Sequence, residues 1–169
     1  MKRSLVGAGA VVFAAALLVP SLVLGGDDGR KVLDAKVLAP VVEPYTGATN
    51  AIRSVPGGGL PWQIGDATAQ LRADGRVHVE VEGLVLAQRA PVPPALQGTN
   101  PIPQFKAIVS CQTIVDGAAA VANVSTPAVA ASSTGDAEID ATVALPSPCY
   151  APIVFVTSTG GAWFAVTGR

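Results

Sequence analysis

The chain has 169 residues and a mass of 16.9 kDa, enough for one domain around one core and too little for a large multi-part enzyme. Charged residues make up 14% and apolar residues 50%, which excludes a chain kept unfolded by charge and a shortage of buriable surface. Glycine (18) and proline (14) are frequent enough to cut helices short, so the composition leans all-β.

The N-terminus carries Lys2 and Arg3 and then runs from Leu5 to Leu24 without a charge. A basic start, an apolar stretch broken by Pro20 and small residues at Gly25 and Gly26 read as a secretion signal over residues 1–26, with residues 27–169 as the exported domain. The alternative is an uncleaved N-terminal membrane anchor with the domain facing outside, since about 20 apolar residues suffice to cross a bilayer. No cysteine follows the apolar run, so lipid attachment there is not expected. Without Lys2 and Arg3 the chain has 9 basic against 12 acidic residues, a formal charge of −3. Its Arg and Lys side chains are dispersed among acids, which argues against nucleic acid and against an anionic lipid surface.

After the leader, residues 30–39 suit either a short helix or the approach to a strand near residues 36–42, and a further strand is expected near Trp62. Pro56 and Pro61 bracket the triplet Gly57-Gly58-Gly59, whose amides offer an oxyanion hole on one reading and a plain turn on the other. Next come Ala67, Ala69 and Leu71, then Val77, Val79 and Val81, alternating with polar neighbours on either side of Asp74-Gly75. A two-residue loop would set Leu71 against His78 and mix the faces. A three-residue loop, Ala73-Asp74-Gly75, sets Leu71 against Val77 and predicts a type I turn closed by a left-handed Gly75.

Residues 90–103 hold five prolines and read as a stiffened loop. Phe105, Ala107, Val109, Cys111 and Thr113 then form the inward face of a strand, with Lys106, Ser110 and Gln112 outward. A weaker strand follows over residues 119–126, and a clearer one over residues 136–145 turns Ala137, Ile139, Ala141 and Val143 inward. Ile153 to Ser158 is apolar on both sides, as in a central strand, and forms a hairpin with residues 162–167 across Gly160-Gly161. The total of seven or eight strands predicts an antiparallel β-sandwich. The immunoglobulin-like type is the commonest, and a jelly roll or small barrel is also open. Cys111 and Cys149, the only cysteines, pair as a disulfide in an oxidising compartment.

Three constellations bear on chemistry. His78, the only histidine, shares one side of a strand with Glu80 and Glu82, a set suited to zinc or copper. Asp136, Glu138 and Asp140 would add oxygen ligands, for calcium in particular, if their strand lay beside it. The plain alternative is a solvated sheet face. A hydrolytic site would need His78 with Ser110 or Ser158, but no G-x-S-x-G elbow is present. Trp62, Tyr150 and Trp163 are candidate ligand-binding aromatics, for a sugar ring or a protein surface. If Phe164 and Val166 face the core, Trp163 is left outside, unless a sheet edge or the proline-rich loop covers it.

The stretches Leu84-Val85-Leu86-Ala87, Gly98-Thr99-Asn100-Pro101-Ile102-Pro103-Gln104-Phe105, Val109-Ser110-Cys111 and Ala162-Trp163-Phe164-Ala165-Val166-Thr167-Gly168 resemble a group of small, uncharacterised secreted proteins of high-GC bacteria. The resemblance implies export and a β-rich domain, and no activity, cofactor or catalytic residue. The expectation is therefore a secreted or cell-surface, non-enzymatic binding or structural module without a cofactor. Its partner would be an extracellular protein or carbohydrate, with a membrane involved only if the leader is retained. The alternatives are an exported metal-binding protein and, behind it, a small serine hydrolase.

Overall fold

A computed structural model of the chain describes residues 29–168. The segment read as a leader lies outside the described residues, as does Arg169. Among the described residues, no helix is long and apolar enough to cross a membrane.

The hairpin around Asp74-Gly75 organises the first sheet. β4 (Asp66–Arg72) and β5 (Arg76–Glu82) pair antiparallel with Leu71 opposite Val77, Ala69 opposite Val79 and Ala67 opposite Val81, as the three-residue loop requires. Gly75 sits at φ 88°, donates to the Arg72 carbonyl and accepts from the Val143 N–H. β1 (Lys31–Ala35) joins β4, and β10 (Ala137–Thr142) joins β5, giving the order β1-β4-β5-β10. The Arg30 to Ala39 region is thus strand rather than helix, with β2 (Leu38–Pro40) following β1.

The second sheet runs β2-β12-β11-β7-β8, built on β7 (Gln104–Val115), β8 (Ala118–Ser125), β11 (Tyr150–Thr157) and β12 (Trp163–Thr167). β9 (Val129–Ala130) pairs with the start of β7, while β3 (Trp62–Gln63) and β6 (Val85–Leu86) make a small separate ribbon. Twelve strands are present among the described residues, eight of them five residues or longer. The excess over the sequence expectation consists of short pieces whose pairing is non-local. The proline-rich loop contains one 3-10 turn, Pro94–Leu96.

The inner faces of the two sheets merge in one core. Ala69, Leu71, Val77, Val79 and Ile139 from the first sheet meet Phe105, Ala107, Val109, Val154 and Val156 from the second. Trp62 stacks on Phe164 at 4.1 Å between ring centroids and meets Phe105 edge-on at 6.4 Å. The disulfide joins Cys111 in β7 to Cys149 just before β11, a sequence separation of 38. It links neighbouring strands of one sheet, unlike the inter-sheet bridge of antibody domains, and the strand order differs from the ABED and CFG order of immunoglobulin folds. A disulfide of this kind belongs to an oxidising, non-cytoplasmic environment.

The central part of the second sheet's outer face is covered as well. The connection between β2 and β3, residues 41–61, turns back at Ile52–Val55, where Arg53 and Ser54 both have positive φ (48° and 66°). The Arg53 guanidinium donates to the Ser110 carbonyl, and Asn123 donates to the Arg53 carbonyl. Gly57 and Gly58 run beside β12, with Trp163 donating to Pro56 and Gly58 donating to Trp163. This connection accounts for the burial of Ser110, Phe155 and Trp163 on what would otherwise be a solvent face.

Candidate functional site

On the outer face of the first sheet, β5 alternation turns Val77, Val79 and Val81 inward and His78, Glu80 and Glu82 outward. β10 lies directly beside β5, so the second acidic stripe is its neighbour, with Glu138 opposite Glu80 and Asp140 opposite His78. His78 Nε2 stands 3.5 Å from Glu80 Oε1. Ligand atoms of His78, Glu80 and Glu138 all lie within 4.8 Å of one another, on a half-exposed to exposed surface. One imidazole nitrogen and two carboxylates form a donor set that zinc or copper accepts.

Glu82 does not join this cluster, because it stands one row further along, opposite Asp66. Glu138 takes its place. Nothing in β5 alone could name Glu138; only the non-local β5–β10 pairing does. Opposed carboxylates at Glu80 and Glu138, and again at Glu82 and Asp66, make this face electrostatically unfavourable unless a cation moderates it.

Near the end of the same strand, Asp136 closes the loop before β10. It accepts from the Gly83 N–H at 2.9 Å, from Ser132 Oγ at 2.9 Å and from Thr134 Oγ1 at 2.6 Å. These hydrogen bonds, the one from Thr134 foremost, hold its carboxyl below the ordinary carboxylate range. Asp136 is thereby committed to structure.

The expected aromatic platform is not assembled. Trp62 and Trp163 are 3% and 2% exposed, whereas Tyr150 is 58% exposed. Trp62 is held in the core by Phe164 and Phe105. Trp163 does point to the outer side of its sheet, beside Phe155 at 6.0 Å, but residues 41–61 cover it. The phase of β12 also differs from simple alternation. Val156 faces Ala165 while Thr157 faces Trp163, so a bulge at Phe164 puts that residue among the core rings and leaves Val166 on the outer side.

The serine and histidine considered for hydrolysis are likewise apart. His78 lies outside the first sheet, Ser110 is buried on the far side of the second, and Ser158 follows β11 in that second sheet. The Gly57 and Gly58 amides are spent on the carbonyls of Gly47 and Trp163, so they form no oxyanion hole.

A surface that the sequence reading passed over lies at the far end of the β7–β8 hairpin. β11 begins at Tyr150, opposite Gln112, so beyond that point, among the described residues, β7 has only β8 as a neighbour. Ile114, Val115 and Val121 are about half exposed there, and Gln112, Ile114, Ala119, Val121 and Tyr150 line an open cleft of about 490 Å³. The available signal was the absence of any charged residue from 117 to 135 in a chain that is 14% charged.

Comparison with models of known families, with curated proteins and with solved structures gave no match.

Proposed function

We propose that the chain is a secreted or cell-surface binding module that is not an enzyme and engages an extracellular protein. The observation that carries this reading is the uncovered apolar end of the β7–β8 hairpin, where Ile114, Val115, Val121 and Tyr150 stay in water while Ser110, Phe155 and Trp163, on the outer face of the same sheet, are buried. Clustered exposed apolar side chains of this kind mark interaction surfaces. A protein partner suits this surface better than a carbohydrate, because the cleft offers one aromatic ring, aliphatic walls and no charged side chain to hold hydroxyl groups. The apolar leader and the disulfide support export.

The test is cell fractionation with thiol titration of the native protein, followed by binding of labelled chain to intact cells of the producing organism. Recovery outside the cell with two unreactive cysteines, and surface binding that falls at least about tenfold in Val121→Lys, is the expected result. Recovery only from the cytosol with two reactive thiols overturns the reading.

A second reading, an exported metal-binding protein, is favoured by the convergence of His78, Glu80 and Glu138 across two strands. It requires a rise in thermal midpoint on adding zinc or copper that disappears in His78→Ala. An unchanged midpoint with either metal removes it.

A further inference from the structure

We infer that the free edge of β8 is the docking site for a second copy of this chain, joined strand to strand so that two sheets become one. This rests on the reading of the chain as a binding module and names its partner.

β8 leaves β7 through the two-residue turn Asp116-Gly117, both residues at positive φ (50° and 79°), the primed geometry of tight hairpins. Val115 and Ala118 flank the turn and exchange hydrogen bonds, and bonded pairs then alternate along the ladder through Thr113–Ala120, Cys111–Ala122 and Val109–Val124. The Thr126 N–H, bonded to the Ala107 carbonyl, continues the same alternation. Ala119, Val121, Asn123 and Ser125 therefore turn their N–H and C=O groups away from β7. Among the described residues β8 ends the path of its sheet, with no strand paired on its outer side, so those groups face outward from the sheet.

The other three end strands of the two large sheets carry features that discourage strand addition. β1 has Lys31 and Asp34, β10 has Glu138 and Asp140, and β2 is three residues long and ends at Pro40. β8 has no charge and no proline.

The β8 sequence is also compatible with itself. In an antiparallel pairing about a two-fold axis at Ala122, Ala119 faces Ser125 of the second copy and Val121 faces Asn123 of the second copy. Every outward N–H and C=O named above then has a partner. Ala122 faces its own equivalent as a non-hydrogen-bonded pair, where backbones approach to about 4.5 Å and a small side chain fits. No like charges are opposed, and the contact closes on itself as a dimer. The same register brings the Ile52–Val55 turn of the second copy, which each chain anchors through its own Asn123, beside Val121 and Ala119 at the apolar cleft.

The test is sedimentation equilibrium of the purified chain across the micromolar to millimolar range, with amide hydrogen exchange read at Ala119, Val121, Asn123 and Ser125. A concentration-dependent mass reaching twice the monomer, and exchange at those amides at least about tenfold slower in the concentrated sample, are expected. Val121→Pro removes an outward N–H and leaves every β7–β8 hydrogen bond in place, and it is expected to give a monomer with an unchanged circular dichroism spectrum. Ala119→Lys is expected to do the same by charge. A dimer that persists in both variants overturns the inference, as does a monomer throughout the concentration range. In the monomer case, binding of labelled chain to intact cells separates the two readings. Binding that falls in Val121→Lys leaves a module whose partner is not its own copy; no binding removes the module reading as well.

Discussion

Leu71 and Val77 face each other across the Asp74-Gly75 turn, both fully buried, and the register of the first sheet follows from that pairing. Gly75 makes it possible by taking a left-handed conformation while its backbone lies against Val143. A Cβ added there would overlap the Val143 carbonyl oxygen. Gly75→Ala is therefore expected to cost more than the ~1 kcal/mol of a simple left-handed penalty, because β10 must also shift. Urea unfolding checks this, and a loss below ~1 kcal/mol contradicts it.

Trp62 and Trp163 are the only tryptophans, and both are buried. Native fluorescence is expected to be blue-shifted and nearly insensitive to iodide, with a red shift and ready quenching on unfolding. Efficient iodide quenching of the native chain would mean that residues 41–61 do not cover the second sheet. Trp163→Ala, which empties a site between Phe155 and that cover, is expected to cost about 3–5 kcal/mol.

The Cys111–Cys149 bridge closes a loop of 38 residues that includes β8, β9 and β10. Chain entropy assigns such a loop about 4 kcal/mol as an upper figure. Replacing both cysteines with serine is expected to lower denaturant stability toward that amount, and reductant is expected to destabilise the parent chain but not the double variant. Equal sensitivity of the two to reductant would count against the bridge.

Asp136 gives a pH prediction with a definite sign. Its folded carboxyl titrates below the unfolded one, so its contribution is complete above the unfolded value and is lost as pH falls through the folded value, below about 4. Thermal midpoints measured from pH 2 to pH 7 are expected to fall steeply at the acid end in the parent chain and less steeply in Asp136→Asn. Parallel curves would show that the hydrogen bonds from Thr134, Gly83 and Ser132 contribute no linkage.

What the sequence disclosed and what it withheld divides by the range of the interaction. The β4–β5 register, the inward face of β7 from Phe105 to Thr113 and the β11–β12 hairpin were readable because alternation and turn chemistry are local. The phase of β12 was not, since a bulge shifts faces without changing composition. The unbroken apolar run Trp163-Phe164-Ala165 did hint that both its sides were covered. Glu138 joins His78 and Glu80 only because β10 returns to β5 after crossing near the other sheet, a pairing that no periodicity records. The cover over Trp163 is long-range too. Its forming segment reads as glycine-rich and proline-rich coil, and its worth lies in hydrogen bonds to Ser110, Asn123 and Trp163.

That cover has a consequence for how the molecule withstands proteolysis. The greasy outer plate formed by Ile108, Phe155 and Trp163 is kept from water by a single irregular strap rather than by a third sheet. A protease cutting near the exposed Ser54 would leave the sandwich intact yet unzip its shield, so nicking should lead to clumping before unfolding.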